Sequence, residues 1–326
     1  MIRLLWVVFV VLLGLGPASA DTLPSVRVGV LKFGTVSWEL SVIRYHQLDR
    51  EAGFSMQVVE FASGNAAAVA LQAGHVDIIV NDWLWVLEQN RRQKQYRYYP
   101  YSTAVGGLVV SPESGIQSLA DLEGKRLGVA GGPVDKSWLL IARYAKKAAG
   151  IDLRSDADVR FAAPPLLNRM LLNGQLDAVV NYWHYNARLV GQGMSVLLPT
   201  ATAMAELGIG GETPMLGWVF DAQWPGAKSG LVDRFLATSY RAKHILATER
   251  GEWQRIKPLM QTENEAVFQS LIDAYRHGIP KSSAAGRESV VLLHQLLTEL
   301  SSGFTYSANN NKGNLGAAWW QGSKES

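Results

Sequence analysis

Residues 71–83 read LQAGHVDIIVNDW, and residues 171–183 read LLNGQLDAVVNYW. Leu71/Leu171, Gly74/Gly174, Asp77/Asp177, Val80/Val180, Asn81/Asn181 and Trp83/Trp183 coincide. Each copy runs from a helix-like segment through a glycine stop into a short, apolar, β-branched run that closes on asparagine. That pattern reads as a helix feeding a buried parallel strand. The likeness extends upstream, where RVGVLKFGTVSWEL (27–40) is echoed by RLGVAGGPVDKSWLL (126–140) with one extra loop residue. Strand, loop and helix, then helix, strand and turn, recur in the same order at the same spacing. Two similar α/β lobes follow, each built from βαβ units around a parallel sheet.

In the first copy the expected elements are a strand at Arg27–Leu31, a helix from Ser37 (as N-cap) to Ala52 with Gly53 as its stop, and a strand at Ser55–Phe61. Ala62–Asn65 turn into a helix ending near Gly74, and Val76–Asn81 form the third strand. Asp77 and Asp177, placed after a glycine turn, read as backbone caps. TAVGGLVVSPES (103–114) and TPMLGWVF (213–220) are isolated strand-like runs and the natural crossovers, with hinges near Gly106-Gly107 and Met215–Gly217. The resulting division is residues 21–104 for the first part of lobe 1, 105–216 for lobe 2, and 217–326 for the completion of lobe 1 and C-terminal helices. LVDRFLATSYRAKHILAT, EWQRIKPLM, AVFQSLIDAYRHG and ESVVLLHQLLTEL space their apolar residues as amphipathic helices covering lobe 1. Ser301–Ser326, rich in Asn, Gly and Ser, reads as an irregular tail.

Residues 1–20 stand apart. Arg3, the apolar run Leu4–Gly16 and the small residues of Pro17-Ala18-Ser19-Ala20 form a secretory signal with cleavage expected after Ala20. Thirteen apolar residues are too few to cross a hydrocarbon core of ~30 Å. The remaining chain is near neutral, since the whole carries 31 basic and 28 acidic residues, which disfavours nucleic acid as a partner. It has no cysteine, so disulfides, thiol nucleophiles and thiolate metal sites are excluded. The six histidines show no metal-ligand spacing, and GxSxG, HExxH, Walker-type and GxGxxG motifs are absent. The expectation is an exported, non-catalytic, monomeric protein of the periplasm that needs no cofactor and no metal.

Ligands of parallel sheets bind at the carboxyl ends of the strands, where loops lead into helix N-termini. The ligand-binding candidates there are Phe33, Gly34, Thr35 and Trp38 after the first strand, Ser63, Gly64 and Asn65 after the second, and Asn81, Asp82 and Trp83 after the third. Their lobe 2 counterparts are Gly132, Asp135 and Ser137, then Asn181, Tyr182 and Trp183. Helix N-termini offer free N–H groups to an anion, and indole and phenol rings offer apolar or cation-accepting faces. Trp83 and Trp183 are expected to approach one ligand from two sides. Trp38 and Trp138 lie one turn into their helices, where a place in the core and a place on the cleft wall are both open.

RVGVLKFGT (27–35), SGNAAAVALQAGHVDIIV (63–80), SLADLEGKRLGVAGG (118–132) and PPLLNRMLLNGQLDAVVNYW (164–183) together resemble periplasmic substrate-binding proteins of ABC importers, in the group that takes sulfonates, taurine, nitrate or thiamine-pyrimidine precursors. The resemblance implies a type II periplasmic-binding-protein fold, two α/β lobes with a hinged cleft. It also implies capture of a small organic solute, a sulfonate or amino-sulfonate first, and handover to an ABC permease in the inner membrane. Asn81-Asp82-Trp83-Leu84-Trp85 and Gly131-Gly132-Pro133 depart from the small and Ser/Thr-rich loops expected around a sulfonate. An acidic Asp82 suits such a ligand only if it also carries an amine. Folds of this kind also serve as accessory partners of periplasmic quinoprotein dehydrogenases, and another nitrogenous solute is a further alternative.

Overall fold

The computed structural model describes residues 23–210, 212–281, 286–300 and 315–322. The expected signal segment at 1–20 and most of the tail after Leu300 lie outside the described residues. Ten strands are described: β1 (Ser25–Leu31), β2 (Ser55–Phe61), β3 (Ile78–Asn81), β4 (Tyr96–Ser102), β5 (Gly107–Val110), β6 (Arg126–Val129), β7 (Asp158–Phe161), β8 (Ala178–Asn181), β9 (Ser195–Pro199) and β10 (Leu216–Asp221).

They form two five-stranded sheets, ordered β2-β1-β3-β10-β4 and β7-β6-β8-β5-β9. Within each sheet the first three strands are parallel, whereas β10 and β5 run antiparallel to both of their neighbours. Both sheets are thus mixed where wholly parallel ones were expected. The cause lies in the crossing. The chain leaves the first sheet after β4, enters the second as β5, and returns as β10. A strand that arrives at the end where the parallel strands finish must run the opposite way. The register shows this, since Gly217 at the start of β10 pairs with Asn81 at the end of β3, and Gly107 at the start of β5 pairs with Asn181 at the end of β8. The two lobes are α/β, each a mixed sheet flanked by helices.

The repeated residues keep equivalent duties. The backbone N–H of Arg27 donates to Asp77 Oδ2 at 2.8 Å, and its Nη2 donates to Oδ1 at 2.6 Å. Arg126 does the same to Asp177, at 2.9 and 2.6 Å. Each aspartate therefore ties the strand it opens to the start of the neighbouring strand, a bidentate clamp of fixed geometry. The guanidinium of Arg126 holds the Asp177 carboxyl below the usual carboxylate range, chiefly through the hydrogen bond. Gly74 and Gly174 stop their helices at φ of +70° and +67°, with open space around the missing Cβ, so backbone conformation alone requires glycine there. Gly106 is needed for a different reason, because a Cβ would lie 1.6 Å from the carbonyl oxygen of Asn181.

The first helix departs from its expected bounds. It spans Val36–Tyr45, starts after Thr35 with no side-chain cap, and breaks at Gln47, whose φ is +54°, before a short Leu48–Glu51 helix. The Ser37 hydroxyl does not cap but donates to the Gly34 carbonyl at 2.6 Å. The 231–248 helix is held to the first by a buried polar chain that reading the sequence did not reveal. Lys243 pairs with Glu39, Ser239 Oγ donates to Glu39 Oε1 at 2.6 Å, and Trp218 Nε1 donates to Ser239 Oγ at 2.9 Å. Lys243 also lies 3.5 Å above the centre of the Tyr101 ring. Burial drives its ammonium pKa down, and Glu39 offsets part of that shift. The 287–300 helix, expected to cover lobe 1 only, instead shares one apolar cluster with Trp83 of lobe 1 and with Leu139 and Leu140 of lobe 2. Tertiary contact decided this, because its Val290, Leu293 and Leu297 stripe fits either lobe equally well by sequence.

Asp77 is the more enclosed of the two clamping carboxylates, its side chain 4% exposed against 18% for Asp177. Replacing Asp77 by alanine strands the backbone N–H of Arg27 and is expected to cost roughly 2–4 kcal/mol. Asp177→Ala is expected to cost less. Urea denaturation of both variants checks the size and the order.

Candidate ligand cleft

The three loops at the carboxyl ends of β1, β2 and β3 differ in exposure. Phe33 stands 73% exposed after β1, while Gly34 and Thr35 turn the chain into the Val36–Tyr45 helix, with Gly34 N–H donating to Leu31 O at 2.9 Å. Ser63 caps the Gly64–Gln72 helix by accepting from Ala66 N at 3.2 Å, and Ser63, Gly64 and Asn65 are exposed. After β3, Asn81 Oδ1 accepts from Asp82 N, and Asp82 Oδ1 accepts from Leu84 N, both at 2.8 Å. Asp82 is therefore the N-cap of the Trp83–Arg91 helix.

Lobe 2 repeats the scheme. Gly131 and Gly132 adopt φ of +78° and +88°, and a Cβ on Gly131 would strike the Asp135 carboxylate and the Tyr182 hydroxyl. Asp135 caps the Lys136–Ala149 helix, its Oδ1 accepting from Ser137 N at 2.9 Å and Trp138 N at 3.2 Å. Asn181 Oδ1 accepts from Tyr182 N at 2.8 Å, the counterpart of the Asn81 bond. Its Nδ2 is committed as well, to Pro164 O at 3.0 Å and Asn168 Oδ1 at 2.9 Å, which leaves Asn181 1% exposed.

Besides the apolar cluster around the 287–300 helix, two contacts between the lobes involve the candidate loops. At the first, Lys136 of lobe 2 pairs with Asp82 of lobe 1, and its Nζ lies 5.6 Å from the centre of the Trp83 ring. Asp135 stands close by. Its carboxyl is raised above the usual range, mainly by burial and slightly by Asp82, while its two capping bonds and Lys136 pull the other way. The Tyr182 phenol is raised by burial and then by Asp135. At the second place, Trp183 of lobe 2 meets Trp38 edge-on at 6.2 Å and Tyr275 at 6.3 Å. Arg188, one turn further on, donates to the carbonyls of Met260 at 2.6 Å and Gln261 at 3.3 Å. His184 lies between these groups with its Nδ1 enclosed and unpartnered, and burial, then Arg188, push its imidazole pKa down to about 4.

Two expected wall residues are placed otherwise. Trp38 is 3% exposed and Trp83 1% exposed, each inside an apolar cluster that also takes in residues of lobe 2. Both open or follow a helix N-terminus one turn from the sheet, and at that depth a large ring reaches back into the core. Trp83 and Trp183 sit in different aromatic groups, Trp83 beside His294 and Trp183 beside Trp38. Of the other candidates, Phe33, Ser63, Gly64, Asn65 and Tyr182 are exposed, and Gly34, Thr35, Asp82, Gly132, Asp135 and Ser137 are partly buried. Arg188 was missing from the expected set, and Lys136, at a matching loop position, was open by sequence between facing solvent and binding an anion. A lysine within Asp-Lys-Ser at a helix start carries no sign of an acidic partner 54 positions away, and the partners of Arg188 are backbone carbonyls, which sequence does not mark.

The family model described as NMT1/THI5 like matches residues 50–249. The chain belongs to the NMT1/THI5-like family. No curated protein matches. Among solved structures it is similar to the periplasmic aliphatic sulphonate binding protein of Escherichia coli, with 20% identity, a TM-score of 0.71, and 93% of this chain and 94% of that one covered. It is also similar to the alkanesulfonate-binding protein of Xanthomonas axonopodis pv. citri, with 21% identity, a TM-score of 0.61, and coverage of 86% and 94%. For the periplasmic nitrate-binding protein of Synechocystis PCC 6803 the identity is 11%, the TM-score 0.63, and the coverage 91% and 86%. These likenesses establish a periplasmic-binding-protein-like fold for this member of the family. Among the described residues, no group of three or more His, Cys, Asp or Glu is placed to hold a metal ion.

Two outcomes are expected from this geometry. An unfolded histidine titrates near 6.5 and the folded His184 near 4, so the unfolded chain takes up the proton first as pH falls. Stability should then decline between those values by at most roughly 3 kcal/mol, and His184→Gln should flatten that part of a melting-temperature profile against pH. Trp83→Ala should cost ~3–5 kcal/mol as a core truncation, whereas Trp183→Ala, half-buried at the lobe junction, should cost less in the same urea titration.

Proposed function

We propose that the protein is a non-catalytic, periplasmic solute-binding protein that captures a small organic solute, a sulfonate or amino-sulfonate, and hands it to the permease of an ABC importer. One observation carries the reading. Two lobes, joined by exchanged strands, turn the carboxyl ends of their parallel strands and the capped starts of their helices toward each other. A small molecule held there touches both lobes, so its binding energy is coupled to their relative position. Family membership supports the same reading, as do solved relatives named for sulfonates and nitrate. The leader-like residues 1–20 support export. The ion pair between Asp82 and Lys136 bears on the ligand, because it supplies the positive partner that Asp82 lacked in the sequence and makes an acidic residue compatible with an anionic group nearby.

The decisive measurement is thermal denaturation of the purified protein with alkanesulfonates, amino-sulfonates, nitrate and pyrimidines. A true ligand at about 100-fold above its Kd adds roughly 2.7 kcal/mol and raises the midpoint visibly. Calorimetry should then give one site per chain. Unchanged midpoints across the whole set at millimolar concentration would overturn the proposal.

A further inference from the structure

The group joining the lobes at the first contact is an ion pair seated on an aromatic ring. Asp82 and Lys136 come from different lobes, Asp82 directly following β3 and Lys136 opening the helix after β6. Their side chains are 27% and 16% exposed, neither in bulk water nor sealed in a core. The ammonium of Lys136 lies between the Asp82 carboxylate and the Trp83 ring face, the environment that suits a ligand's cation. The indole N–H of that same tryptophan is buried without an acceptor. Asp135 adds a second carboxylate whose Oδ1 is already spent on capping its helix.

Charge accounting at this point discriminates between ligands. A simple anion attracted to Lys136 draws the ammonium off Asp82 and leaves that carboxylate unpaired at the junction. A simple cation attracted to Asp82 leaves Lys136 unpaired in the same way. A molecule with an ammonium at one end and an anionic group at the other leaves neither alone. Its ammonium takes the seat between Asp82 and Trp83, and its anionic end meets the displaced Lys136. The order along the site is then carboxylate, ammonium, anion, ammonium, with every charge next to its opposite.

We infer that the ligand is a short zwitterion that inserts into the Asp82–Lys136 ion pair, with Lys136 acting as the stand-in for the ligand's ammonium when the site is empty. This rests on the solute-capture reading above and narrows it to a charge class, an amine joined to a carboxylate or a sulfonate. Asp82 and Lys136 are the specificity-determining residues, one for each end.

Isothermal titration with five probes tests it: 3-aminopropanoate and 2-aminoethanesulfonate as zwitterions, propanoate and ethanesulfonate as anions, and propylamine as a cation. The wild type should bind at least one zwitterion and bind the single-charge probes roughly ten- to hundred-fold more weakly, the usual worth of one hydrogen-bonded charge. The two zwitterions separate a carboxylate-bearing ligand from a sulfonate-bearing one. Asp82→Asn should shift the preference toward the matching amine-free anion, and Lys136→Met toward propylamine. A misfolded variant loses binding but does not acquire a new preference, so the switch itself is the readout. Equal affinity of the wild type for a zwitterion and its amine-free anion, or an unchanged preference in Asp82→Asn, overturns the inference while solute capture stands. No binding of any probe or of the wider set by any of the three proteins overturns both.

Discussion

Each lobe contains one strand delivered from the other, and the rest of the architecture is arranged around that exchange. β5 and β10 enter their sheets at the end where the parallel strands finish, which forces them to run antiparallel and places both crossings beside the cleft. The crossing segments are bound to their surroundings. Thr103 N–H donates to Gly278 O at 3.0 Å, Met215 N–H donates to Ser102 O at 2.9 Å, and Thr200 N–H donates to Gly106 O at 3.1 Å. Gly106 approaches the Asn181 carbonyl so closely that no side chain fits. These bonds tie both crossings to their surroundings.

Two lysine–carboxylate pairs in the molecule illustrate how burial sets an interaction's role. Glu39 and Lys243 are 0% and 5% exposed at their side chains and are bonded further to Ser239, so removing either partner leaves a charge inside the core at a cost of about 3–5 kcal/mol. That pair locks the 231–248 helix to lobe 1. Asp82 and Lys136 retain partial access to water, so an unpaired charge there costs less than in the Glu39–Lys243 pair. Both ammonium groups also lie over aromatic rings, Tyr101 for Lys243 and Trp83 for Lys136. The same local chemistry thus occurs fully buried within one lobe and partly exposed between the two lobes.

The hundred-residue repetition carried most of the fold. The bounds of β2, the glycine stops at Gly74 and Gly174, and the asparagines at equivalent strand ends all follow from local signals, namely β-branched runs and residues that tolerate positive φ. Asp77 and Asp177 were readable as backbone caps, although their arginine partners were not, because the pairs form across strands some 50 positions apart. For the candidate cleft, the loops were legible and the depth of their side chains was not. Trp83 and Trp183 sit at matching points of the repeat, yet Trp83 is 1% exposed and Trp183 only half-buried. The difference arises because the 287–300 helix, remote in sequence, covers one and not the other.

What the sequence determined by itself was the pattern of the lobes: which segments alternate, where strands stop, and which loops carry polar and aromatic residues. These depend on local periodicity and turn chemistry, which short stretches encode in full. Tertiary structure alone decided the direction of the exchanged strands, the burial of Trp38 and Trp83, and the meeting of Asp82 with Lys136. Each of those depends on where a distant segment comes to rest, and the packing of two lobes against one another has no signature in either lobe's own sequence.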